Sequence, residues 1–125
     1  MERFLWVCFG GAIGTGTRYL VAQWAAGRFG AVFPFGTLLV NLTGCFLLAA
    51  LMDVAVAAWP PTFRTAITVG VMGGLTTYSS FNFETTRLLQ DGAPGLAALN
   101  AAATVAGCFV AGWLGLLVSR QLLAQ

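Results

Sequence analysis

Gly70-Val71-Met72-Gly73-Gly74-Leu75-Thr76-Thr77-Tyr78-Ser79-Ser80-Phe81-Asn82-Phe83-Glu84 decides the fold, because it interrupts an otherwise apolar segment. Two adjacent glycines precede Thr76, Thr77, Tyr78, Ser79 and Ser80, a composition that makes a poor helix. The stretch predicts a break near the middle of a membrane-spanning helix. Non-helical backbone at membrane depth persists only where it is buried in protein or lines a polar cavity. Carbonyls freed at such a break are able to coordinate a cation, and those of Gly73 and Thr76 are suitably spaced. The alternative is an unbroken Ser/Thr-rich helix whose side chains bond their own backbone.

The surrounding sequence has a membrane composition: 58% of the 125 residues are hydrophobic, 8% are charged and the mean hydropathy is +0.84. A soluble domain carries about 25% charged residues. One span takes about 20 apolar residues. Four apolar runs, over residues 4–26, 35–58, 65–89 and 96–117, therefore use nearly the whole chain as a single four-helix, all-α membrane domain. Gly27-Arg28-Phe29-Gly30 with Pro34, Trp59-Pro60-Pro61, and Gln90-Asp91-Gly92-Ala93-Pro94-Gly95 punctuate the runs. Such short connections predict antiparallel neighbours. Small residues within the runs, including Gly10, Gly11, Gly14 and Gly16, fit close helix packing in lipid. No A-x-A-like cleavage site follows a short apolar region after Met1-Glu2-Arg3, so the first run is expected to remain as a span.

Several function classes lose their footing. A net charge of +2 carried by scattered arginines gives no footprint for nucleic acid. The absence of histidine and lysine removes the commonest general base, the commonest metal ligand and any Schiff-base nucleophile, which argues against an enzyme. Cys8, Cys45 and Cys108 occupy separate apolar runs without C-x-x-C spacing and read as small packing residues. With four spans, Arg3, Arg64 and Arg120 fall on one face, Arg28 and Arg87 on the other, and Arg18 inside the first span. So slight a bias predicts insertion in both orientations. An antiparallel homodimer would then use identical surfaces about a two-fold axis in the membrane plane.

Polar residues inside a membrane are functional candidates because they are expensive there. Arg18, Asn41, Asn82, Glu84 and Asn100 stand out. Asn41, within Leu38-Leu39-Val40-Asn41-Leu42-Thr43-Gly44, needs either a protein partner or a hydrated path. Arg18 and Glu84 read either as a structural ion pair, as residues near the membrane surfaces, or as functional groups. Phe81, Phe83 and Tyr78 add aromatic rings, whose edges are positive. Ring edges combined with amide and hydroxyl donors suit a small hard anion better than a cation; ordinary core packing is the alternative.

Four motifs recur together in one known family: Gly10-Gly11-Ala12-Ile13-Gly14 followed by Arg18-Tyr19; Gly36-Thr37-Leu38-Leu39-Val40-Asn41-Leu42-Thr43-Gly44; Gly73 through Phe81 with Glu84; and Asn100 in the last run. Through them the chain resembles the CrcB/Fluc family of fluoride channels over nearly its full length. The resemblance implies a dual-topology antiparallel homodimer in the bacterial inner membrane, surrounded by lipid, with two fluoride pores and a central structural sodium ion. Gly73 and Thr76 match the sodium-ligating carbonyl positions. Asn41 matches a pore-lining asparagine, Phe81 and Tyr78 the aromatic pair facing the ions, and Ser79 and Ser80 neighbouring polar positions. Thr104 and Cys108 align with a hydroxyl track. Tyr78 stands where phenylalanine is usual and Cys108 where serine is common, and a thiol is a weak donor. The implied activity is passive export that lowers cytoplasmic fluoride. A small multidrug-type proton-coupled exporter would have to use Glu84, although that class would want its glutamate in the first span, where Arg18 stands. A non-transporting membrane assembly subunit would give no ion flux in liposomes.

Overall fold

The computed structural model describes residues 1–124, apart from the side chains at 56 and 57. The first helix, α1 (Glu2–Phe29), runs straight through Gly27 and stops at Gly30, whose φ of 85° favours glycine. After the turn containing Pro34, α2 spans Phe35–Ala58 and ends at Trp59, which is extended as the residue before Pro60. Pro61 then opens α3 (Pro61–Thr65) at the position where a missing amide costs nothing. A π-helical segment, Ala66–Val71, joins α3 to the short α4 (Met72–Leu75). After two intervening residues α5 (Tyr78–Gln90) begins, and a turn at Gly92 leads to α6 (Pro94–Leu123), again with proline in its first turn. The apolar runs 4–26 and 96–117 lie inside longer helices, because neither Arg3 nor Gly27 ends helical hydrogen bonding.

Between α4 and α5 the helix is interrupted. Thr76 (φ −84°, ψ 151°) and Thr77 (φ −152°, ψ 118°) are both extended. Thr77 also caps α5, its hydroxyl accepting the Ser80 amide at 3.2 Å.

The most extensive packing joins α2 to α6, while α1 lies against the π segment, α4 and α2. Glycine makes the α1 crossing possible. A Cβ on Gly10 would lie 2.5 Å from the Ala66 carbonyl oxygen, and one on Gly74 would lie 2.6 Å from that of Gly11. On Gly14 it would overlap the Val71 carbonyl outright. Backbones in direct contact recover dispersion energy that small residues alone permit. The π turn sits at this crossing, a type of helical irregularity that recurs near functional sites.

Val40, Met72 and Leu75 form the small apolar centre, with Val21, Leu47 and Val71 against it. Large apolar side chains face outward instead: Trp24, Phe109 and Trp113 are 58%, 78% and 62% exposed. A surface of this kind requires lipid or another protein rather than water. The segment Phe35–Ala55 and the helix Pro94–Leu123 are each long and apolar enough to cross a membrane.

Candidate functional site

Asn41 holds the interruption open. Its side-chain oxygen accepts the Thr77 amide at 2.8 Å and its Nδ2 donates to the Thr77 carbonyl at 3.0 Å. In an unbroken helix the Thr77 amide would bond the Gly73 carbonyl, and the Ser80 amide that of Thr76. Here the first is taken by Asn41 and the second by the Thr77 hydroxyl, so both carbonyls lose their helical partners. The partner that Asn41 needs in an apolar helix is thus backbone that itself needs a partner.

A groove of about 450 Å³ runs beside this staple. It collects Asn41, Thr76, Tyr78, Phe81, Thr104 and Cys108 from the sequence candidates, together with Cys45 and Phe109. Phe81 is buried and Tyr78 is 78% exposed, their ring centroids 5.6 Å apart and tilted by 57°. The Thr104 hydroxyl has no hydrogen-bond partner among the described residues, an expensive condition for a buried donor unless a ligand or water answers it.

Ser79, Ser80 and Glu84 fall on a different cavity, of about 970 Å³, that extends from the turns near Gly30 and Asp91 inward to the start of α5. Thr37 donates to Glu84 Oε1 at 2.7 Å, and Glu84 Oε2 is buried without a partner among the described residues. Thr77, at the α5 N-terminus, joins the two regions, its hydroxyl lying 3.2 Å from Ser79 Oγ and 3.1 Å from Ser80 Oγ.

The remaining candidates separate from both cavities. Asn100 is 1% exposed and donates to Thr85 at 2.8 Å, tying α6 to α5. Asn82 is exposed, and Arg18 is half-buried on α1. Arg18 makes no ion pair with Glu84; among the described residues the ion pair is Arg87–Asp91, at 3.7 Å on the surface. Reading the sequence by type took Cys45 for a packing residue and gave Thr37 and Thr77 no role of their own. A spacing signal was present: Thr37, Asn41 and Cys45 recur every four residues on α2, as Asn100, Thr104 and Cys108 do on α6. Four-residue spacing places each trio along one helix face.

Long apolar helices with outward-facing apolar side chains, one of them interrupted at a polar segment, define the class: a multi-pass membrane protein. The chain belongs to the CrcB-like family, whose description reads "CrcB-like protein, Camphor Resistance (CrcB)", with residues 5–116 matched. Over 124 residues it is 51% identical to the protein named fluoride-specific ion channel FluC of Anaeromyxobacter sp. (strain K), covering 98% of each chain. Its counterpart of that name in Sorangium cellulosum (strain So ce56) is 50% identical over 128 residues, 99% of each chain. A third, from Citrifermentans bemidjiense, is 46% identical across 98% of this chain and 100% of its own. With the family comes the location, a bacterial membrane.

Proposed function

We propose that the chain is a fluoride channel, a passive path for the anion and not an enzyme. Identity of 51% with a fluoride-specific ion channel across 98% of both chains carries this reading. The site's chemistry agrees with it. Fluoride is strongly hydrated, so a path must replace its water with donors while keeping each site weak enough for exit. Asn41 uses one amide proton on the Thr77 carbonyl and has a second for the groove. Thr104 adds a hydroxyl, Phe81 and Tyr78 add positive ring edges, and the N-terminus of α5 adds the favourable end of a helix dipole. Cys108 is the weakest donor along the track. On the other side, Ser79 and Ser80 supply hydroxyls to the larger cavity. The test is efflux from fluoride-loaded liposomes read with a fluoride electrode. Protein-dependent fluoride release supports the channel, and its absence from folded, reconstituted protein overturns it. The exporter built on Glu84 has no comparable support, since the relatives are named as channels.

The working unit in this reading is an antiparallel homodimer of four-span subunits, with the helix interruptions of the two copies meeting at the two-fold axis. Gly73, exposed in the single chain, and Thr76 contribute carbonyls that no longer serve a helix. Four such neutral oxygens fit a monovalent cation better than a divalent one, which would want carboxylates. Sodium held there supplies positive charge that offsets the clustered carbonyl dipoles. A Cβ on Gly73 meets nothing within 4 Å among the described residues of its own chain, so the added bulk of Gly73→Val acts chiefly on the partner. Gly73→Val is therefore expected to abolish dimer assembly by size-exclusion chromatography and light scattering, whereas Thr76→Ala, which keeps the backbone oxygen, assembles. A fully dimeric Gly73→Val protein would remove the central cation site from this account.

Dual topology is tested separately. C-terminal reporters active on either side of the membrane should both give signal, and two arginines added around Gly92 should bias every copy one way and abolish flux when expressed alone. A single orientation in the unmodified protein would end the antiparallel dimer.

A further inference from the structure

Cys45 and Cys108 lie on the closely packed α2 and α6 and line one groove, with the two thiols as neighbours. Both are free and half-buried, beside Asn41 and Thr104. Neither thiol is needed for the interruption, which Asn41 and Thr77 maintain by themselves. Two converging sulfurs without a third ligand form a particular kind of metal site. Among the described residues no group of three His, Cys, Asp or Glu side chains gathers, so a tetrahedral zinc shell is not available. Thiolates instead select soft cations, and closed-shell d¹⁰ ions accept two sulfurs in a linear arrangement. In apolar surroundings a neutral product is favoured over a charged one. A divalent ion bound to two thiolates is neutral, whereas a monovalent one leaves a net negative charge.

We propose that Cys45 and Cys108 form a two-coordinate site for a thiophilic d¹⁰ divalent cation of the mercury(II) type, and that occupancy closes the groove beside Asn41 and Thr104. Each sulfur loses its proton as its bond to the metal forms; from mercuric chloride one ion binds while two protons and two chlorides leave, with no change of oxidation state. The closure rests on the fluoride-channel reading; the binding does not.

Mercuric chloride is titrated into the purified full-length Cys8→Ser protein, which lacks the exposed third thiol. The ultraviolet sulfur-to-metal band and proton release should saturate at one ion and two protons per chain. Either Cys45→Ala or Cys108→Ala should weaken binding by at least about a hundredfold, because a second thiol on the same scaffold acts at high effective concentration. Equal affinity in the single variants, or two ions per chain, overturns the site. A mercury-crosslinked pair of subunits on a denaturing gel also overturns it, since the bridge would then join different chains. In liposomes, mercuric chloride should stop fluoride release, dithiothreitol should restore it, and Cys45→Ala should keep most of its own uninhibited rate. Binding without block overturns the closure. Normal binding by a protein that releases no fluoride before mercury is added overturns the channel reading and leaves the metal site standing.

Discussion

Asn41→Asp is expected to abolish fluoride release and to lower the stability of the folded protein as well. Aspartate keeps an acceptor for the Thr77 amide but turns an oxygen toward the Thr77 carbonyl, where Asn41 now donates at 3.0 Å. The donor is lost and two acceptors are left facing each other. At a position only 7% exposed, a carboxylate without a cationic partner costs about 3 kcal/mol or more. The same change removes the amide proton directed at the groove and adds negative charge to an anion path. Asn82→Asp is the matched control, because Asn82 is exposed and lines neither cavity. Flux and thermal unfolding of the solubilised protein are measured together. Wild-type values of both for Asn41→Asp would refute the role of this side chain in the staple and in the path.

Gly14→Ala should be the most damaging single-methyl substitution in α1. Its Cβ would overlap the Val71 carbonyl and stand 2.8 Å from the Leu75 amide nitrogen, so the clash is with backbone that cannot rotate away. Relief requires α1 to move off the π segment and α4, giving up the α1 crossing; overpacking alone typically costs about 1–3 kcal/mol. Gly16→Ala makes the comparison clean. Nothing lies within 4 Å of a Cβ there, and replacing glycine within a helix should gain about 0.5–1 kcal/mol. Thermal unfolding in detergent reads the difference, and equal midpoints for the two variants would mean that the α1 crossing is not tight.

The amino-acid sequence made parts of this arrangement legible and hid others, for physical reasons. Adjacent glycines followed by hydroxyl residues marked residues 73–80 as poor helix, since the weakness is local and compositional. The extended pair Thr76–Thr77 depends on Asn41 reaching Thr77 from 36 positions away in the chain, a contact that no local pattern contains. The π turn at Ala66–Val71 was equally hidden, because no local pattern in these residues marks a π turn and the distortion lies at a crossing with α1. Residue type drew attention to Asn41 and Glu84 but passed over Thr37 and Cys45, their neighbours on α2. Spacing would have recovered both. It would not have assigned Ser79 and Ser80 to one cavity and Tyr78 and Phe81 to the other, because that division follows from which face of α5 packs inward.

Filled with water, the larger cavity would shape the electrical profile of the membrane. It runs from the turns near Gly30 and Asp91 to Ser79 and Ser80, which is nearly the length of the 13-residue α5. At 1.5 Å per residue that helix covers about 20 Å, of a hydrocarbon layer about 30 Å thick. Water filling the cavity would hold its inner end close to the potential of the adjoining solution, since a conducting medium supports little voltage drop. Most of the transmembrane voltage then falls across the remaining ~10 Å around the helix interruption, raising the field there about threefold. A monovalent ion gains about 2.3 kcal/mol per 100 mV on crossing, and nearly all of that work would be done within a few ångströms of Asn41 and Phe81.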